Sequence, residues 1–470
     1  MSELAAADAA MHYRARYAST DQFLVYAFPH VGSGRVGSGR VGSGRVGSGR
    51  VGSGGRPATL RERAAAVGDL GVGIAAVAAD LGGPRWVRSV PGDDRFRIHE
   101  ASTWAECLTM LGELIVDNDR DESVPWRLHL FGPLDGVPEV DGPARIVVLQ
   151  IAHALGDGRR VSAIARALLG PDDPAGPAPQ PGPGGRLADA GAAVWGALRI
   201  GPRMVAATAW GVAAWRRAAR PDPEPAPGPA PGPIRRTVLN GSGDGAGPVR
   251  LRTLHLSADA LREHGPSVTT AVLAVLAEVL PTFGGAADDG RVLAEVTVAR
   301  PAEGRQRNNF HTVGVDLRAD VDDRRERAAT IRDELAAARR RDGTAARRTA
   351  RRAEARTPPV LAAAAARLAA QAPAPSTVSG ATVVSSVDRG PADLTLEGAP
   401  VAFTAGFPAL SSAHDLTHGV HGIGDVVTVS VCARGAAASV VDDYVHALAL
   451  ALAFAQPRRR VRATPPPPRG

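Results

Sequence analysis

The sequence predicts an α/β fold with mixed sheets, arranged as two halves around a connecting segment. Three observations lead to this. Short apolar runs of strand character mix with amphipathic helical stretches on both sides of the chain's middle. Pro-rich stretches at 171–184 and 221–233 set those two sides apart. The 470 residues are enough for two domains, each with its own core. The halves are then 1–170 and 235–458, joined by a crossover at 171–234 and followed by an Arg- and Pro-rich tail, 459–470, expected to be disordered.

Composition narrows the kind of core and the kind of partner. Apolar residues make up 44% of the chain but aromatics only 4%, so the cores must be assembled from many small side chains. All 55 basic residues are Arg, and 54 Gly and 38 Pro accompany them, a bias of the kind a GC-rich coding sequence produces. The net charge of +7 suits an anionic lipid surface or the phosphates of a ligand. Basic residues are not interleaved with aromatics, which argues against nucleic acid as a partner. Cys107 and Cys432 lie far apart in apolar surroundings and read as inert core thiols, with no metal cluster and no disulfide framework. The first residues lack an apolar core of signal-peptide type, and no apolar run is long enough to span a bilayer. A cytoplasmic protein is expected, with peripheral contact to a membrane or lipid-droplet surface left open.

The elements follow in order. Residues 31–50 are four copies of Val-Gly-Ser-Gly-Arg and 51–55 a degraded fifth, a sequence with almost nothing to bury and so expected to be a flexible loop. Leu60, Ala64, Val67 and Leu70 share a helical face, predicting a helix over 60–81. Another is predicted over 101–117. Ile146 to Ile151 form an apolar run bounded by Pro143 and Gly156, which reads as a buried strand. Val161, Ile164, Ala165, Leu168 and Leu169 then recur at helical spacing. The crossover contains a helical block, 187–219, with Trp195, Trp210 and Trp215 among Arg199, Arg203, Arg216 and Arg217. That block suits either a membrane-surface helix or one packed across the halves. Beyond it come strands at 251–256, 292–298, 381–387 and 426–432, and helices at 267–280, 324–342 and 439–454.

Chemistry concentrates after the first buried strand. The strand delivers His153 to its C-terminal end. Gly156, Asp157 and Gly158 follow, suited to a sharp turn whose carboxylate fixes the turn or starts the next helix. An imidazole held rigidly in that position can act as a general base on a hydroxyl. His414, His418 and His421 offer a metal-like spacing, but Gly419, Gly422 and Gly424 make a stable helix unsuitable there; the segment reads as a loop, and no metal site is expected.

The segment Arg145-Ile-Val-Val-Leu-Gln-Ile-Ala-His153-Ala-Leu-Gly-Asp157-Gly158 resembles the active-site segment of the bacterial wax ester synthase/diacylglycerol acyltransferase family. That family is a branch of the CoA-dependent acyltransferase superfamily, and its motif is His-His-x-x-x-Asp-Gly. Further pieces resemble it in order: Ser19 to Leu24, Pro125-Trp126, Leu239-Asn240-Gly241, Thr297 to Arg300, and Val383 to Val387 with Gly390-Pro391. The chain departs at Ala152, where the family has its first His, at Thr269-Thr270, where it has Asn-Asp, and at Ser386, where it has Asn.

The resemblance implies a two-domain CoA-dependent acyltransferase-like sandwich with a cleft between the halves. It implies O-acyl transfer from acyl-CoA, as co-substrate, to a diacylglycerol or long-chain alcohol, giving triacylglycerol or wax ester, with no permanently bound cofactor. His153 would be the general base, Asp157 and Gly158 would support it, and Arg300 is the candidate partner of Asp157. The departures keep two alternatives open: a same-superfamily enzyme acting on a polyketide, sugar or peptide acceptor, and a catalytically silent lipid-binding or scaffold protein.

Overall fold

Two mixed sheets carry the fold. The computed structural model describes residues 3–30, 59–117, 121–170, 178–220, 228–241, 245, 247–302 and 304–453. The pentapeptide repeat at 31–55 and the tail from 459 onward lie outside the described residues.

The first sheet has five strands, in the order Phe403–Gly406, Gln22–Pro29, Ala144–Ile151, Trp126–Leu134, Phe96–His99. Ala144–Ile151 lies at its centre, antiparallel to both neighbours, with Leu149 opposite Leu24 and Leu128. Its run of Ile and Val is buried on both faces, as suits a central strand covered on both sides. On one face lies the helix Gly158–Leu169, presenting Val161, Ile164, Ala165 and Leu168. On the other lies Trp104–Asp117, presenting Cys107, Leu108, Leu111 and Ile115. The edge strand Phe403–Gly406 comes from the far end of the sequence and pairs antiparallel with Gln22–Pro29. The second half thus lends one strand to the sheet of the first.

The second sheet has six strands, in the order Phe310–Asp316, Leu293–Ala299, Thr382–Asp388, Leu416–Ile423, Val426–Ala433, Arg250–Ser257. Thr382–Asp388 is parallel to both of its neighbours, and the remaining pairings are antiparallel. Val268–Val279, capped by Ser267, buries nearly every residue against this sheet. The charged helix Arg324–Asp342 closes over it with Ala328, Ile331 and Leu335. The α/β class with mixed sheets is therefore the observed one.

Two local expectations are corrected. The helix predicted over 60–81 covers only Leu60–Ala66, after a Thr59–Glu62 capping box. Val67 is extended, a 3-10 turn runs over Gly68–Gly71, and Val72–Ala75 forms a strand against Arg85–Arg88. Gly73 shows why: a Cβ there would stand 2.9 Å from the Ser123 carbonyl oxygen, so the chain passes too closely for a helix of side chains. The segment containing His418 and His421 is no loop but part of the strand Leu416–Ile423. Its Gly419 allows the strand to cross the first sheet's edge, since a Cβ there would meet the Gly406 carbonyl oxygen.

The crossover forms the 33-residue helix Arg186–Ala218. It lies against the helix Ala345–Glu354, where Arg352 sits over the Trp210 ring at 5.2 Å. Its Leu187, Val194, Leu198, Val205 and Trp215 are exposed. Among the described residues no helix is long and apolar enough to cross a membrane.

Candidate active site

The strand Ala144–Ile151 ends two residues before His153, which begins the single 3-10 turn His153–Leu155. Asp157 then caps the helix Gly158–Leu169, its Oδ1 accepting from the Arg160 backbone N–H at 3.0 Å. The strand, turn and helix expected from the sequence are all present. They bring an imidazole to the C-terminal end of the sheet's central strand and hold it there.

The holding is done from the second half. The loop 306–309 lies across the turn. Asn308 Oδ1 accepts from His153 Nδ1 at 2.8 Å, and Asn308 Nδ2 donates to the His153 carbonyl at 2.7 Å. Arg307 Nε donates to the Leu155 carbonyl at 2.8 Å, and the Asp157 N–H donates to the Arg307 carbonyl at 3.2 Å. The Asn309 N–H donates to Asp157 Oδ2 at 2.9 Å. From the first half, Gln22 Nε2 donates to the Gly156 carbonyl at 2.8 Å. Three carbonyl groups of this turn, at His153, Leu155 and Gly156, are thus satisfied by side chains, which fixes it.

Asn308 is itself fixed. Asp8, on the N-terminal helix Ala6–Ala15, accepts from the Asn308 backbone N–H at 2.9 Å and from Asn308 Nδ2 at 3.0 Å, and from the Arg307 N–H at 3.1 Å. With a carboxylate and a carbonyl both requiring donors, Nδ2 must face them, and Oδ1 is left for the imidazole. His153 therefore carries its proton on Nδ1 and leaves the Nε2 lone pair available. Burial pushes the His153 imidazole below its ordinary value, against the opposing hydrogen bond to Asn308, so the neutral ring is favoured. Burial likewise pushes the Asp8 carboxyl up to about 6, although the Asn308 and Arg307 bonds pull it down.

A second ionic layer backs the turn. Buried Asp69 takes Arg160 Nη2 at 2.8 Å and also pairs with Arg307 Nη2. The Arg307 guanidinium is pushed down to about 10 by burial. The ring of His153 lies 5.1 Å, centre to centre, from that of Phe310. A pocket opens beside it, with Met11, His12, Ile74, Glu122 and Ala152 also in its wall.

Of the expected site residues, His153, Asp157 and Gly158 are brought together. Gly158 is there for space: a Cβ would stand 2.8 Å from Val387 Cγ2 of the second half. Arg300 is not the partner of Asp157. Its Nε and Nη2 donate to Asp342 at 2.8 Å each, and Asp157 is satisfied by two backbone N–H groups instead. The helix end at Asp342 reaches Arg300 first, and a carboxylate already holding a helix cap needs no cation. Asn308 and Asp8 are functional candidates that sequence reasoning missed. Their only local signal is an Asn pair, Asn308-Asn309, just before the apolar run of a strand.

Ser386 and Thr269, two of the positions where the family motifs are altered, hydrogen-bond each other, Oγ to Oγ1, at 2.7 Å. His418 is far from a metal role: it bonds to Thr382 Oγ1 and to Tyr444 Oη at 2.8 Å each, inside the second core. Among the described residues no group of three or more His, Cys, Asp or Glu side chains is placed to hold a metal ion. Cys107 and Cys432 are buried, and burial pushes both thiols up to about 12, which leaves neither as a nucleophile.

Several known proteins are similar to this chain in fold. The whole fold is similar to the wax ester synthase/diacylglycerol acyltransferase from Marinobacter aquaeolei VT8. The identity is 17%, the TM-score is 0.56, and the match covers 96% of this chain and 98% of that one. The condensation domain of the Monacolin K polyketide synthase matches at 12% identity and a TM-score of 0.45, over 96% and 97% of the two chains. The starter condensation domain of rhizomide synthetase matches at 13% and 0.42, over 96% of each. No curated protein sequence matches the chain. Residues 307–453 match the family model of the WS/DGAT C-terminal domain, a match that opens on the loop holding His153. Over that stretch the chain is similar to the C-terminal domain of the wax ester synthase/diacylglycerol acyltransferase family.

Proposed function

We infer that the protein moves a long-chain acyl group from acyl-CoA to the hydroxyl of a diacylglycerol or long-chain alcohol, with His153 as general base. The single observation that carries this is the Asn308–His153 pair, which leaves Nε2 as the basic nitrogen at the wall of a pocket. The acceptor hydroxyl gives its proton to Nε2 as its oxygen attacks the thioester carbonyl. The tetrahedral intermediate then expels the CoA thiolate, which takes the proton back from Nε2. Ester and free CoA thiol leave together, and no acyl-enzyme forms. Asp157 and Gly158 support the turn and take no part in proton transfer. In this reading the halves 1–170 and 235–458 are the two walls of the cleft, and 171–234 ties them together. No permanently bound cofactor is required.

The exposed Leu187, Val194, Leu198, Val205 and Trp215 of the helix Arg186–Ala218, with Arg199, Arg216 and Arg217 on the same helix, support peripheral contact with an anionic membrane or lipid-droplet surface on the cytoplasmic side, whereas Arg203 is paired with Glu3. Sedimentation with anionic liposomes at low salt tests it, and failure to co-sediment removes it.

One observation favours a second reading within the same superfamily. Thr269 and Ser386, both altered, are altered into a mutually bonded pair, which suits a cleft reshaped for another acceptor. Incubation with long-chain acyl-CoA and a panel of acceptors, following free thiol, separates the readings. Turnover with diacylglycerol or hexadecanol supports the first. Turnover only with a sugar, peptide or polyketide hydroxyl supports the second. No turnover across the panel favours a silent lipid-binding or scaffold protein.

A further inference from the structure

We propose that Arg159 and Arg348 bind the phosphate groups of the donor, and so make the protein prefer a CoA thioester to a thioester without phosphates. This rests on the acyl-transfer reading of the site. What it adds is a place in the fold, and residues, for the charged end of the donor.

The turn between the helices Arg324–Asp342 and Ala345–Glu354 gathers guanidinium groups from three parts of the chain. Arg300 follows the strand Leu293–Ala299, and its Nε and Nη2 donate to Asp342 at 2.8 Å each. Arg351 Nη1 donates to the same carboxylate at 3.3 Å and to the Asp342 carbonyl at 3.1 Å. Arg348 Nη1 donates to the next carbonyl, that of Gly343. Arg159, in the first turn of the helix Gly158–Leu169, donates through Nη2 to the Arg300 carbonyl at 2.7 Å.

The four differ in what they can still do. Arg300 uses its third nitrogen as well, on the Phe310 carbonyl at 2.7 Å. Arg300 and Arg351 are mostly buried around Asp342 and build the scaffold. Arg159 and Arg348 are exposed, and each is anchored by one nitrogen on a carbonyl. Among the described residues neither is in an ion pair, so their charge is not offset there. An anchored guanidinium presents its other N–H groups in a fixed fork, with part of the ordering cost already met. Two such forks, on different helices, suit a ligand that carries more than one phosphate.

Phe310 ties this cluster to the base. Its carbonyl takes Arg300 Nη1, and its ring lies 5.1 Å from that of His153. Asp157, which caps the helix carrying Arg159, accepts from the Asn309 N–H in the loop that holds His153. The phosphates therefore dock beside the turn that carries the base and not on it. A donor whose thioester sits at the end of a flexible arm requires that separation.

The test reads binding and does not depend on turnover. Titrate the full chain calorimetrically with CoA and, separately, with pantetheine, which has the same thiol end and no phosphate. CoA is expected to bind more tightly, and less so as salt is added. Arg159→Gln and Arg348→Gln, both at exposed positions, should each weaken CoA binding about fivefold, the effect of one exposed charged contact, and leave pantetheine unchanged. Equal affinities in the wild type, or a CoA preference that the double variant keeps, overturns the proposal. So does a double variant that weakens binding to phosphatidylglycerol vesicles with CoA affinity unmoved, since the two arginines would then serve a lipid headgroup. A CoA preference that depends on both arginines, without acyl transfer to any acceptor, would instead count against the acyl-transfer reading.

Discussion

Asn308 grips His153 by both ends: Oδ1 takes the ring Nδ1–H at 2.8 Å while Nδ2 holds the same residue's carbonyl at 2.7 Å. The ring cannot turn without breaking the first bond, and the turn cannot shift without breaking the second. An asparagine of the second half thereby sets both the tautomer and the position of a histidine of the first.

Replacing Asn308 by Ala removes the acceptor for Nδ1–H and withdraws one donor from Asp8. One hydrogen bond to a ring that becomes cationic in the transition state corresponds to an activity loss on the order of 10- to 100-fold. The loss is expected in kcat, with KM for acyl-CoA nearly unchanged. The two ring nitrogens of His153, followed by 15N NMR, should also lose their single-tautomer signature. A change confined to KM would contradict the positioning role.

The pH profile follows from the buried ring. Burial lowers the His153 imidazole below 6.5, and the base must be neutral to act. The acidic limb of kcat/KM should therefore fall below pH 6.5, with a plateau through neutrality. A limb centred at or above that value would mean that the ring is not held as described.

Asp8 gives a stability signature of opposite habit to a paired carboxylate. Its folded-state value, about 6, lies above the 3.8 of an exposed aspartate, so the folded state binds the proton more tightly. The stabilising contribution is complete below 3.8 and is lost as pH rises through about 6. Measured against Asp8→Asn by thermal unfolding, the wild type should gain relative stability as pH is lowered across that window. A gap that is flat, or that widens toward neutral pH, would contradict the buried, desolvated setting.

Gly158 makes a steric prediction. A methyl at this position would meet Val387 Cγ2 at 2.8 Å, across the contact between the halves. Gly158→Ala should cost about 1–3 kcal/mol of stability by overpacking. Val387→Ala in the same chain should recover much of it, and additive losses in the double variant would show that the two positions do not touch.

Local features of the fold were legible where one stretch of chain determines them. The strand ending at Ile151, the turn and the helix opening at Gly158 all follow from spacing within about 25 residues, and so does the charged helix Arg324–Asp342. Leu60 to Leu70 misled, because a helical face continues on paper past Gly68 while the chain there turns into a strand. Leu416–Ile423 was hidden by glycines that the crossing with Gly406 requires. The site was half legible. His153 and Asp157 announce themselves by sequence, whereas Asn308 and Asp8 act across separations of 155 and 300 residues and carry no periodic signal. The pairing of Arg300 with Asp342, across 42 residues, carries no local signal either.

The central claim is that His153 Nε2 removes the acceptor's proton. It is tested most directly by following free CoA thiol from long-chain acyl-CoA and an alcohol acceptor in wild type and His153→Ala. The account predicts turnover in the wild type and a fall of ~10²- to 10⁴-fold in kcat for the variant, the range of a positioned general base, with the fold intact by thermal unfolding. Equal rates for the two proteins would contradict it.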